Sequence, residues 1–298
     1  MVNEQATSVF TGHRELLFSI VYNMLGSVAD TEDVLQETWL AWVPRSEAGE
    51  EIVNPRAYLV RIAVNRALAR QESISRRRED YVGPWLPEPL ITQEPEVVDP
   101  AVRAESVSMA LLVVLETLTP LERAVFVLNE VFGYAHTEIA GILNRSPSAI
   151  RQLAHRAREH VHARRPRYQA DPRVRQEVTE RFIAAVAGGD LDALMRVLAP
   201  DVIMWADGGG KARAAGLRPL HGRDKIARLI VGNATRHPVT DLNIRFRTVN
   251  GDPSALLLSG DTTFAVIVLD LVPDGTQVCG IYAVTNPDKL SHLERGTA

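Results

Sequence analysis

Two textures of hydrophobic spacing divide the chain. Up to about residue 165, apolar side chains recur every three or four positions, the signature of amphipathic helices. The segment HRELLFSIVYNMLGS (13–27) keeps that period and stops at Gly26 and Ser27. ADTEDVLQETWLAWV (29–43) opens with acids, which the partial positive charge of a helix N-terminus favours. NPRAYLVRIAVNRALARQE (54–72) begins with Asn54 as N-cap and Pro55 at the first helical position. Residues 81–100 break the pattern: five prolines and scattered acids predict an extended linker. Helices resume at 101. TPLERAVFVLNEVFG (119–133) carries a full start signal, with Thr119 as cap, Pro120 next and Glu122 closing a capping box. Ahead of the helix at about 136–143, Ala135 stands where such a box needs Ser or Thr, so that start is expected to fray.

After RPRYQADPR (165–173) the texture changes. Helices are expected at about 174–187 and 190–198, then the strand-like runs DVIMWA, LNIRFRTV, ALLLSG, TTFAVIVLDLV and QVCGIYAV, interrupted by the helix GRDKIARLIVGN. This order predicts an α+β domain of about 125 residues. The 298 residues leave room for one large domain or two to three small ones, and no internal repeat is present. No apolar run reaches the roughly 18 residues of a membrane span, and the N-terminus lacks a signal-peptide pattern. The single cysteine, Cys279, cannot form an internal disulfide, and no Cys/His cluster offers a zinc site. The expectation is a cytoplasmic protein with no metal, no cofactor and no membrane partner.

Charge sharpens the picture. The chain carries a net charge of −4, yet NRSPSAIRQLAHRAREHVHARR (144–165) is dense in Arg and His. A short helix ending at Asn144, then Arg145, then Ser146 capping a helix with Pro147 first, is a helix-turn-helix pattern. Ile150, Leu153, Ala154, Ala157 and Val161 share one face of the second helix. Ser148, Arg151, Gln152, His155, Arg156 and Arg158 lie off it, where the early residues of a recognition helix meet base edges. Arg145, Arg164, Arg165 and Arg167 suit phosphates. A solvated basic face is the plainer alternative; the capped turn favours DNA.

In this order, DTEDVLQETWLAW (30–42), NPRAYLVRIAVNRALARQ (54–71) and LTPLERAVFVLNEVFGYAHTEIAGILNRSPSAIRQLAHRARE (118–159) resemble bacterial extracytoplasmic-function sigma factors. The resemblance covers about 1–165. It implies a first helical domain at 1–80 that binds core RNA polymerase and the −10 promoter element. A linker at 81–100 and a helix-turn-helix domain at 101–167 for the −35 element follow. It places Asp30, Asp33, Gln36 and Glu37 against the β′ clamp helices, beside Val34, Leu35 and Leu40. Asn54, Arg56, Arg61, Asn65 and Arg66 become −10 contacts, with Arg70 and Arg76, Arg77 and Arg78 extending the basic stripe. The loop VPRSEAGEEIVNP is the place for flipped bases, Tyr58 and Ile62 are core residues, and the β flap is the partner of the second domain.

Three more motifs, WLPEPL (85–90), DGGGK (207–211) and NPDKL (286–290), resemble the SigJ-type subgroup, which carries a C-terminal SnoaL-like domain. The expected fold is multidomain: two all-α sigma domains, then an α+β SnoaL-like cone with a curved sheet at 168–298. The subgroup implies regulation in cis, the chain's own C-terminal domain replacing a separate anti-sigma factor. Trp85 and Pro87 supply an anchor in the linker. Asp207, Gly208, Gly209, Gly210 and Lys211 read as a positive-φ turn or as an interdomain latch; a phosphate loop is disfavoured because the spacing is not GxxxxGK[ST]. Asp288 and Lys289 follow an Asn286–Pro287 helix start and face either the sigma part or water. No catalytic residue is assigned, although Asp201, Trp205, Asp207 and His221 are the types a SnoaL-like enzyme would use. A repressor with a sensor domain and a DNA-tethered enzyme are the alternatives.

Overall fold

The computed structural model describes residues 2–47, 52–92, 107–164, 170–212, 216–236, 239 and 241–293. It divides into two compact units. One comprises Met1–Glu79, Glu96–Val107 and Val114–Arg165; the other comprises Asp80–Pro95, Ser108–Val113 and Pro166–Ala298.

The first unit is helical. Helices α1 (Val2–Leu25), α2 (Val28–Glu47) and α3 (Pro55–Glu79) pack on one another through Leu17, Ile20, Met24, Val34, Leu35, Leu59, Val60 and Ala63, all essentially buried. Each large aliphatic side chain so buried contributes about 1.5–3 kcal/mol. Gly26, at φ +69°, ends α1, a conformation that costs a residue with a Cβ. Trp42 donates its indole N–H to the Ala6 carbonyl at 3.0 Å, tying α2 to the start of α1. Leu40, by contrast, is 63% exposed and takes no part in this core. Tyr58 and Ile62 are half-buried; of the segment 43–55 expected as a loop, residues up to Glu47 belong to α2 and 48–51 lie outside the described residues.

Helix α4 (Met109–Leu115) precedes α5 (Pro120–Phe126). Thr119 and Glu122 form the expected capping box, Glu122 accepting from the Thr119 amide and Thr119 from the Glu122 amide. The helix continues as a π-turn, Val127–Val131, closed by Phe132 N–H to the Val127 carbonyl at 3.1 Å. Helix α6 (His136–Leu143) starts sharply despite Ala135, because Glu138 accepts from the Ala135 amide at 2.8 Å. Half a capping box suffices there. Asn144 adopts the left-handed conformation at φ 50°, and α7 (Pro147–Arg164) begins after Ser146.

The second unit holds α8 (Pro172–Ala187), α9 (Leu191–Val197), α10 (Arg223–Arg236), α11 (Pro287–Leu290) and strands β1 (Leu198–Asp207), β2 (Leu220–His221), β3 (Leu242–Val249), β4 (Asp252–Ser259), β5 (Thr262–Leu271) and β6 (Val278–Val284). The strands form one curved, unclosed sheet in the order β2-β1-β6-β5-β4-β3, with β1 and β6 parallel and the other pairs antiparallel. Alternate residues serve opposite faces. Ala255, Ile267, Leu269 and Ile281 join Phe182, Leu194 and Ile226 in one core beneath the helices. Leu256, Leu258, Val266, Val268, Tyr282 and Val284 face the other way, into a second core. Both faces are covered, which is why β4 and β5 read as nearly unbroken apolar runs.

The cover of that second face comes from elsewhere in the chain. Leu86 and Ile91 of the proline-rich segment, Met109, Ala110 and Val113 of α4, and Leu290 and Leu293 near the end pack there. The segment also joins the sheet edge beside β3: Ile91 bridges Val249, Asn250 donates to the Leu90 carbonyl at 2.8 Å and Thr92 to the Thr248 carbonyl at 2.9 Å. Residues 81–92 are therefore a strap built into the second unit, and residues 93–100 lie outside the described residues.

Candidate functional site

In the first unit the acidic edge of α2 and the basic stripe of α3 meet each other. Arg70 bonds Asp30 at 3.0 Å, pairs with Asp33 and reaches Glu37 at 3.4 Å. Arg66 holds the other oxygen of Glu37 at 2.8 Å, and Arg77 binds Asp30 at 2.8 Å. Burial alone would raise the Asp30 carboxyl, but hydrogen bonds from Arg77 and Arg70 outweigh it and hold the group below the usual carboxylate range. Asp33 and Gln36 remain exposed, with Leu40 one turn on. Arg70 and Arg77 thus pair with α2 and Arg78 with Glu116, while Arg76 is exposed.

The other α3 residues are distributed by local chemistry. Asn54 caps the helix, accepting from the Ala57 amide at 3.0 Å. The Arg56 guanidinium carbon stands 5.8 Å from the Tyr134 ring centroid, and that of Arg61 stands 5.4 Å from the Tyr58 ring. Asn65 donates to the Ile142 carbonyl of α6 at 3.0 Å, so α3 and the helix-turn-helix touch within this unit.

On α7, Ile150, Ala154, Ala157 and Val161 are buried and fix the helix's rotation. Ser148, Arg151, Gln152, His155 and Arg156 are exposed on the remaining surface. Ser148 bonds the capping Ser146 hydroxyl at 3.0 Å. His155 lies 3.2 Å from Glu159, Arg156 3.2 Å from Glu122, and Arg158 2.5 Å from Glu130. Arg151 and Gln152 lie on the first two turns of α7. Arg165 and Arg167 lie outside the described residues.

In the second unit the three motifs WLPEPL, DGGGK and NPDKL converge. The Asp207 carboxylate, fully buried, accepts from the Tyr81 hydroxyl, from the Leu86 amide at 2.8 Å and from Lys289 Nζ at 2.7 Å. Lys289, also buried, donates to the Leu86 carbonyl as well and lies 3.3 Å from the Trp85 ring centroid and 5.0 Å from that of Tyr81. The two rings meet edge to face at 4.8 Å. Burial first, and then the Asp207 carboxylate, push the Tyr81 phenol well above its ordinary value. Asn286 donates to Tyr81 at 2.8 Å and caps α11.

Two of the three glycines make the turn that lets this happen. Gly209 and Gly210 have φ of +56° and +73°. A Cβ on Gly209 would lie 2.7 Å from Asn286 Cγ and 3.0 Å from the Tyr81 hydroxyl, and one on Gly210 would lie 3.1 Å from Val82. Lys211 closes the loop through Asp288 at 2.5 Å, and Pro87 is buried behind it. Lys289 therefore faces the strap and not solvent. Tyr81 was invisible in the sequence: it lies outside the motif, and only the fold brings it to Asp207. Asp207 is committed to this lock, while Asp201 and His221 are exposed on β1 and β2. Trp205 stacks on Tyr282 at 5.0 Å.

Among the described residues no helix is long and apolar enough to cross a membrane. Residues 9–77 match the family profile for sigma-70 region 2, residues 108–161 that for sigma-70 region 4, and residues 179–288 that for the SnoaL-like domain. The ECF RNA polymerase sigma factor SigJ of Mycobacterium tuberculosis is 37% identical over 294 residues, covering 95% of this chain and 93% of the relative. The probable ECF sigma factor SigI of the same organism is 29% identical over 293 residues, 98% and 97% of the two chains. The crystal structure of M. tuberculosis SigJ superposes with a TM-score of 0.73 at 35% identity, covering 96% of this chain and 98% of that one. With sigma-70 regions 2 and 4, a SnoaL-like domain and 37% identity to such a relative over 95% of its length, the chain belongs to the extracytoplasmic-function family of RNA polymerase sigma factors and is an alternative sigma factor bearing a SnoaL-like domain.

Proposed function

We propose that this sigma factor binds core RNA polymerase, directs it to promoters in the cytoplasm, and is restrained by its own SnoaL-like domain without a separate anti-sigma protein or any catalytic step. The convergence of the strap, DGGGK and NPDKL on the buried Asp207–Lys289 pair carries this reading. Both ends of the connection between the two helical regions, residues 80–92 and 108–113, are built into the domain that carries the lock. A domain that holds both ends governs how far the two regions separate to reach −10 and −35 elements together.

Within this reading, Asp33, Gln36 and Glu37, with Asp30 as the buried brace and exposed Leu40 at their side, dock on the β′ clamp helices. Arg56, Arg61, Asn65 and Arg66 meet the −10 element from a helix capped by Asn54. Ser148, Arg151, Gln152, His155, Arg156 and Arg158 read the −35 element, with region 4 on the β flap. Arg suits guanine and Gln suits adenine at the leading turns of α7.

The test is run-off transcription with purified core polymerase on a cognate promoter. Full-length protein is compared with versions ending near Arg167 and after Ala206. Promoter-dependent transcript that rises when the third domain is removed supports restraint. Equal transcript from all three refutes it, and no transcript with no core binding refutes the polymerase assignment.

A further inference from the structure

A second buried polar cluster lies in the first unit, remote in sequence from the lock. Arg123, on α5, is 3% exposed. It donates from Nε to the Asn23 carbonyl at 3.0 Å and from Nη1 to Glu116 at 2.7 Å. Glu116 also pairs with Arg78 of α3, which donates to the Leu25 carbonyl at 3.1 Å. Glu116 therefore faces two guanidiniums. Burial pushes both down to about 9, and at Arg78 the repulsion from Arg123 adds to it.

These groups line a small cavity of about 60 Å³ between α1, α3 and the α4–α5 junction, with Gln71 and Ser75 in its wall. Among the described residues, Arg123 Nη2, a donor, and Gln71 Oε1, an acceptor, are buried there with no hydrogen-bond partner. The Gln71 amide is not free to turn round, because its Nε2 donates to the Met24 carbonyl at 2.7 Å. A buried N–H or C=O left unmade costs more than a mean hydrogen bond returns. The complement to this wall is a small species that accepts from a guanidinium, donates to an amide oxygen and carries negative charge.

We propose that the cavity is a binding site for one small protonated oxyanion, of the hydrogencarbonate or hydrogenphosphate kind. Its negative oxygens accept from Arg123 Nη2, while its O–H donates to Gln71 Oε1. A bound anion ties α1 and α3 of region 2 to the start of region 4, and so stabilises the closed arrangement of the first unit. The site stands on different residues from the lock and is tested apart from it.

The experiment is thermal unfolding of the full chain in bicarbonate, phosphate, nitrate and chloride at matched ionic strength and pH, with isothermal titration of the same salts. Bicarbonate or phosphate is expected to raise the melting temperature saturably, by roughly 2–4 °C. Nitrate, an oxyanion without a proton to donate, is expected to give less than half that rise. Whichever of the two protonated anions binds more tightly identifies the source. Gln71→Met is expected to bring the effective anion down to the nitrate level, and Arg123→Lys to weaken binding at least tenfold. Identical curves in all four salts, with no heat of binding, overturn the proposal and leave the cavity to water. Equal stabilisation by nitrate and by the protonated anions overturns the assigned role of Gln71 and the ligand class with it.

Discussion

Replacing Lys289 by methionine keeps an unbranched stem out to Cε and removes the ammonium group. In the native protein Lys289 and Asp207 are 4% and 0% exposed at the side chain, 2.7 Å apart. Removing one partner of such a buried pair costs about 3–5 kcal/mol, because the other charge stays buried with its compensation gone. Lys289 also carries the Leu86 carbonyl bond and the ring contacts with Trp85 and Tyr81, so the upper part of that range is expected. Asp207→Asn disarms the pair from the other side and leaves the ammonium behind. If the two groups act on each other, the double variant costs less than the sum of the singles by at least about 2 kcal/mol. The assay is urea unfolding of the full chain followed by tryptophan fluorescence, since Trp85 and Trp205 both report on this unit. Additivity within about 0.5 kcal/mol would show that the carboxylate and ammonium are neighbours without being a lock.

Other expectations follow from the same geometry. Gly209→Ala forces a side chain into a positive-φ position against Asn286 and Tyr81; a loss of about 1–2 kcal/mol, and faster proteolysis of the strap, are expected. Tyr81 should titrate well above the ordinary phenol range in an ultraviolet pH titration, a component absent from Tyr81→Phe. Its raised value means that its contribution to the lock is present below about pH 10 and lost as pH climbs through the folded value. Asp30 has the opposite sign: its lowered carboxyl stabilises above about pH 4, so the wild type's advantage over Asp30→Asn should shrink as pH falls through the folded value. Arg151→Ala should cost about 1–3 kcal/mol at a cognate promoter and little at others; an equal loss on every sequence would make it a phosphate contact.

The sequence discloses elements better than it discloses partnerships. Helices α5 to α7 were legible because their boundaries are written in capping chemistry: Thr119, Glu122, Asn144 and Ser146 act locally. Strand β3 was legible to the residue because its alternation is clean. The strap was not. Its prolines announce an extended chain, but nothing local says that Leu86 and Ile91 cover a sheet whose strands begin more than a hundred residues later. The ion pairs of α2 with α3 were hidden for the same reason. Arg70 and Arg77 look like DNA contacts in a helical projection of α3 alone, and only the neighbouring helix reveals Asp30 and Glu37 as their partners. Arg123 gave no warning either: a basic residue in a capped amphipathic helix reads as surface until the Asn23 carbonyl is seen beneath it.

The most direct test of the account is promoter-specific transcription by core polymerase with the Lys289→Met protein against the wild type, at equal sigma concentration and with folding of the first unit verified by circular dichroism. The account predicts more transcript from the variant, because the strap that holds the linker is released while the polymerase and promoter surfaces are untouched. Equal or lower output from a protein that binds core normally would contradict restraint through this lock.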